Sequence, residues 1–181
     1  RAIQSGSAFY IQATANFSNQ QFLETHKLDG SRQVNRMANT GRRNPREIKM
    51  FSSFVMNNNV VLDGNRLVVE PVYSDTIDAD DATKWPNSST NFGIWHHHKL
   101  LSVEARPMLK VGDSIQFNIN RINNGNYQLL FAPQNLTHEN LQPVLVDRFT
   151  GTETAISLAD SSWVSFSISN EAGSKAANRF Y

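Results

Sequence analysis

The chain of 181 residues contains no cysteine, which excludes disulfides as staples, so its stability must come from packing or from a bound ion. Charge is scarce as well: charged residues make up 18% and the formal net charge is +1, which leaves no global pull toward nucleic acid or an anionic membrane. No apolar run approaches the ~18 residues needed to span a bilayer as a helix. A basic start followed by an apolar run is missing too, so no signal peptide is visible. No stretch of helical length carries a 3.6-residue apolar period, which argues against βαβ folds and the phosphate-binding loops that open their helices. The G-x-S-x-G, H-E-x-x-H and P-loop motifs are all absent, so enzyme chemistry has little support and the chain reads as non-catalytic.

What is present is uncharged polar sequence with a firm aromatic component. Asn, Ser, Thr and Gln fill the space that charge leaves, while 11 Phe and three Trp rule out a disordered chain. This composition suits extracellular β-proteins, although lack of cysteine by itself leaves the cytosol open.

Short apolar segments separated by turn signals run through the chain. Glu47–Met56 reads as a strand and Asn57–Asn59 as a turn. Val60–Leu62 and Arg66–Tyr73, joined by Asp63-Gly64, read as a hairpin, because Asp-Gly supplies the positive φ angles of tight turns. Ile115–Ile122, a turn at Asn123–Asn126 and Tyr127–Phe131 follow, then Val144–Thr152, Trp163–Ser169 and Ala176–Tyr181. Ala8–Ala13 and Phe22–Lys27 are strand candidates near the start, and Leu136–Leu141 is a candidate helical turn. In Trp163–Ser169, Val164, Phe166 and Ile168 fall on one face and Trp163, Ser165, Ser167 and Ser169 on the other. The expectation is an all-β, antiparallel β-sandwich of immunoglobulin-like or jelly-roll-like type with two long loops, at 29–46 and 74–93. It would form a single module over 1–181, with a sub-boundary near 105–113 as the alternative. The start at Arg1 and the stop at Tyr181, inside what reads as a last strand, suggest a piece of a longer polypeptide.

Four segments carry a family resemblance. They are Ile3-Gln-Ser-Gly-Ser-Ala-Phe-Tyr-Ile-Gln-Ala13, Asp80-Asp-Ala-Thr-Lys84, Val144-Leu-Val-Asp-Arg-Phe-Thr-Gly-Thr152 and Ala176-Ala-Asn-Arg-Phe180. Together they resemble a β-rich module found near the C-termini of very large, type IX-secreted surface or adhesin-like proteins of Bacteroidota. The pattern departs at Asp80-Asp81, where that family usually has an aromatic before the Asp. The resemblance implies export, an extracellular or cell-surface location, and a structural or adhesive role beside neighbouring modules or subunits. Asp75-Thr76-Ile77 and Asp113-Ser114-Ile115 resemble the Asp-Thr/Ser-aliphatic sites of O-glycosylation in the same bacteria.

Candidate sites follow from residue types. Asp75, Asp78, Asp80 and Asp81 place hard oxygen ligands in one loop, as Ca²⁺ requires, though the EF-hand spacing is absent; no cofactor is expected unless Ca²⁺ binds here. His96-His97-His98 invites a zinc reading in which His96 and His98 share a strand face, completed by Glu104, His138 or His26. Arg32, Arg36, Arg42, Arg43 and Arg46 form a basic loop that lacks stacking aromatics, so an interface is expected there and nucleic acid is not. Trp85, Trp95 and Trp163 could stack on sugars or fill an inter-module contact. The first functional expectation is a structural or adhesive module. A carbohydrate-binding module is the alternative, and an accessory domain of a secreted hydrolase the third.

Overall fold

The computed structural model describes Leu23, residues 48–137 and residues 140–181. The chain divides into two units, Arg1–Arg42 and Arg43–Tyr181, and all that follows concerns the second. The strand expected at 8–13, that at 22–27 apart from Leu23, the loop at 29–46 and its five arginines lie outside the described residues, as do His26 and His138.

The described residues are all-β, and the sandwich-like class expected from the sequence holds. Ten strands follow in chain order: β1 (Lys49–Asn57), β2 (Val60–Val69), β3 (Ala82–Thr83), β4 (Asn91–His96), β5 (Lys99–Arg106), β6 (Phe117–Asn120), β7 (Gly125–Gln134), β8 (Val144–Asp147), β9 (Thr152–Ala155) and β10 (Ser162–Ile168). One large sheet has the order β10-β7-β1-β2-β5-β4-β6, with β3 added against β5, and β8 pairs with β9 as a separate hairpin. Its pairings are antiparallel except β2 with β5, which run parallel. The 105–113 region joins β5 to β6 within this one sheet.

The β1–β2 hairpin turns at Asn58-Asn59, whose φ angles are +48° and +63°. The Asp63-Gly64 hairpin is therefore corrected: both residues sit inside β2, opposite Val55 and Phe54. Gly64 is required there by packing and not by a turn, since a Cβ would lie 2.6 Å from the Phe54 ring. The chain turns at Asn58-Asn59, and the pairing of β2 with β1 runs on through residues 63 and 64.

The large sheet curls on itself. β7 and β6 are five steps apart in the strand order, about 24 Å in a flat sheet. Yet the rings of Phe131 on β7 and Phe117 on β6 lie 5.9 Å apart. The curl encloses a core of Val55, Leu67, Phe92, Ile94, Leu101, Leu129 and the aromatic rings. The C-terminal tail fills the seam between the two outermost strands of the order. The N–H groups of Phe117 and Ile119 on β6 donate to the carbonyls of Phe180 and Ala177. On the other side Arg179 donates to the Ser167 carbonyl of β10 at 2.7 Å. Val146 and Tyr181 exchange backbone hydrogen bonds, which ties the β8–β9 hairpin to the tail. Phe180, buried against Phe166 with ring centroids 5.1 Å apart, seals the seam.

Between β10 and the tail lies a 3₁₀ turn, Ala172–Lys175, which the sequence pattern did not signal. The stretch read as a late strand, Val144–Thr152, is instead strand β8, a turn and the start of β9, with Gly151 at φ +70°.

Candidate functional site

In the three family-like segments that the structure describes, Asp81, Lys84, Asp147 and Arg179 hold the fold together. Asp147 and Arg179 meet in a bidentate pair, Nε to Oδ1 at 2.7 Å and Nη2 to Oδ2 at 2.6 Å. The guanidinium also donates to the carbonyls of Ser167 and Ser174 and lies over the rings of Phe149 and Phe180. Burial pushes the Asp147 carboxyl up. The Arg179 hydrogen bonds, the Phe149 N–H and the Arg179 charge outweigh it and hold the group below the ordinary aspartate value. Lys84 pairs with Asp63 at 2.7 Å, and the same carboxylate accepts the Phe92 N–H at 2.6 Å.

The acidic loop behaves in the same way. Asp75 accepts from Arg106 at 3.1 Å, Asp78 from the Asp80 N–H, and Asp81 from the N–H groups of Asp78 and Ala105. Asp75, Asp78 and Asp81 thus order the loop and pin it to β5. Among the described residues no three His, Asp or Glu side chains gather into a metal-holding group.

The histidines are rearranged from the expected strand alternation. Of the three in the run, His96 alone belongs to a strand; His97 and His98, at φ +42° and +63°, form the two-residue turn between β4 and β5. It is His96 and His97, not His96 and His98, that come together. Their rings are 4.1 Å apart, and both donate from Nε2 to the Asp75 carbonyl, at 2.9 and 3.3 Å. Glu104 faces His96 Nδ1 at 3.5 Å and Arg106 Nε at 3.2 Å, ion-pair distances without hydrogen-bond alignment at Oε1. Burial raises the Glu104 carboxyl above its ordinary value; Arg106 and His96 pull it back, and Asp81 and Asp75 add to the rise. Arg106 pairs with both Glu104 and Asp75 beside His96, and its charge opposes a cation there.

Trp163 is where the strand alternation put it. Trp163 is 50% exposed on the outer face of β10, with Ser165 and Ser167 exposed beside it and Phe166 and Ile168 buried behind. Trp85 and Trp95 are also exposed in large part, on the loop after β3 and on β4. Register extends the Trp163 surface across the sheet. Trp163 stands opposite Leu130, Leu130 opposite Phe54, and Phe54 opposite Gly64, so these residues share the outer face in one row.

On the inner face is a feature the sequence reading missed. The curled sheet, the 109–115 connection and the β8–β9 hairpin enclose a cavity of about 460 Å³. Phe51, Leu67, Ile94, Phe117 and Phe131 line it from the sheet, and Leu145, Ile156 and Tyr181 from the opposite side. On the sheet side two polar side chains interrupt the apolar wall: Ser53 on β1 and Asn65 on β2, directly opposite each other in the register. Ser53 is 1% exposed and Asn65 5%. Ser53 Oγ and both Asn65 side-chain atoms, Oδ1 and Nδ2, have no hydrogen-bond partner in the protein. Each such group left unmet in an interior costs about 1–3 kcal/mol. The only available sequence signal was a polar pair at positions whose neighbours, Phe51, Val55 and Leu67, alternate inward.

A scan against protein-family models finds no match to this chain, and searches of the curated proteins and of the solved structures find none either.

Proposed function

We propose that this chain is a non-catalytic module that works through its outer surface, packing against neighbouring modules or subunits of an extracellular assembly. The observation that carries the reading is the row Trp163, Leu130, Phe54 across the outer face of the large sheet, with a half-exposed Trp at its end. A large aromatic on a serine-rich strand face gains by leaving water, and contact with another surface provides that. A role inside a large secreted or cell-surface bacterial protein rests on the four family-like segments and on a cysteine-free, Asn/Ser-rich composition.

The same row favours a second reading. A flat Trp face flanked by Ser165 and Gln128 suits the apolar side of a pyranose, with hydroxyls at hand for its rim. The two readings separate on the Trp163→Ala variant. A structure of the intact assembly with an apolar contact centred on Trp163, and assembly lost in the variant, supports the structural role. Glycan-array binding lost in the variant supports carbohydrate recognition. An assembly that leaves Trp163 in water, together with blank arrays, overturns both.

A further inference from the structure

We infer that the inner cavity is a binding site for a small, mainly apolar molecule bearing one neutral head group that both donates and accepts hydrogen bonds, a carboxamide or an undissociated carboxylic acid. Its volume of about 460 Å³ lies within the usual range of small-molecule pockets, about 300–1,000 Å³. Its walls are the rings of Phe51, Phe117 and Phe131 and the side chains of Leu67, Ile94 and Ile156, which fit an aromatic or aliphatic body. Asn65 presents an unmet acceptor and an unmet donor together, and Ser53 Oγ adds a third group directly across the strand pair. A planar group with one acceptor and one donor matches both atoms of the Asn65 amide at once, through paired N–H···O or O–H···O bonds. A carboxylate fits poorly, since it offers no donor to Oδ1; among the described residues the one cation in the lining is Lys110, on the exposed 110–114 stretch.

Entry is provided where the lining is exposed. Residues 110–114 border the cavity from solvent, and their turn is closed by the Asp113 carboxylate on the Lys110 N–H at 3.0 Å. Val111 at its tip is 88% exposed, and Val144 on the facing hairpin is also exposed, so the rim is apolar as well as open. The site is on the opposite face of the sheet from Trp163, so either proposal stands if the other fails.

The test uses the full 181-residue chain and three probes of one shape: 4-butylbenzamide, 4-butylbenzoic acid and butylbenzene. Calorimetric titration at neutral pH is expected to give saturable one-to-one binding of the amide, with butylbenzene weaker by roughly tenfold or more. The benzoic acid should bind better as pH falls and it becomes neutral. Asn65→Leu should abolish the preference for amide over hydrocarbon, and Ser53→Ala should weaken amide binding by a smaller factor. Near-UV circular dichroism checks that each variant keeps its fold. Should Asn65→Leu not fold, nuclear Overhauser contacts from the bound amide to the Asn65 side-chain protons of the unaltered chain decide the matter. Absence of saturable binding by all three probes, equal affinity for amide and butylbenzene, or amide binding without contact to Asn65 would each overturn the proposal.

Discussion

Two buried polar pairs face each other across strands in this protein, and their treatment is opposite. Asp147 and Arg179 join β8 to the tail with two short charged hydrogen bonds, and the guanidinium finds two further carbonyls. Ser53 and Asn65 join β1 to β2 in register, yet their side chains bond to nothing in the protein. A saturated pair holds elements together and leaves nothing over for a ligand. An unsaturated pair at the wall of a cavity weakens the fold and keeps its hydrogen-bonding capacity for something else. Stability and binding are thus divided between the two ends of the inner face.

The comparison breaks most readily at Arg179, which is 3% exposed. Arg179→Met leaves Asp147 charged and unpaired, and equilibrium urea unfolding should show a loss of about 3–5 kcal/mol. The double variant Asp147→Leu/Arg179→Met should recover much of it, because both charges are then gone. The opposite sign is expected at the other pair. Asn65→Leu removes two unmet polar atoms and should raise unfolding free energy by about 1–2 kcal/mol in the absence of ligand. A loss of similar size instead would mean that the amide is satisfied in solution.

Acid titration sharpens the contrast with smaller effects. The folded Asp147 carboxyl lies below its ordinary 3.8, so its stabilisation is complete above that pH and disappears as pH falls through the folded value. Glu104 lies above its ordinary 4.5, so it runs the other way: the fold weakens as pH rises from there through the folded value. Denaturation midpoints of Asp147→Asn and Glu104→Gln, followed against pH beside the unaltered chain, should therefore differ from it with opposite slopes. The smallest effect is expected at Trp163. Trp163→Ser on the outer face should change stability by no more than about 0.5 kcal/mol while removing the surface contact proposed for it.

Much of the architecture was legible along the chain, and for identifiable reasons. The alternation in Trp163–Ser169 correctly placed Phe166 and Ile168 inside and Trp163 outside, because a strand with one buried face leaves no freedom in register. The Asn57–Asn59 turn was legible because Asn tolerates positive φ. Asp63-Gly64 misled because the glycine that a tight turn demands is also the glycine that a packed Phe54 ring demands. The histidine run misled for a related reason: strand alternation was applied to residues that form the turn itself. The acidic loop offered the right residue types for calcium, but the Asp78 and Asp81 carboxylates turn to nearby N–H groups and Asp75 to Arg106, which composition does not reveal.

The fold class, the two faces of the Trp163–Ser169 strand and with them the exposure of Trp163 could be read along the chain, since each depends on neighbours one or two residues away. The meeting of Asp147 with Arg179, the curl that brings Phe131 to Phe117, and the cavity that Ser53 and Asn65 both line came from the folded arrangement. Those outcomes depend on strands distant in the chain. A polar residue on an inward strand position looks the same in sequence whether its partner arrives from another strand or is left to come from outside.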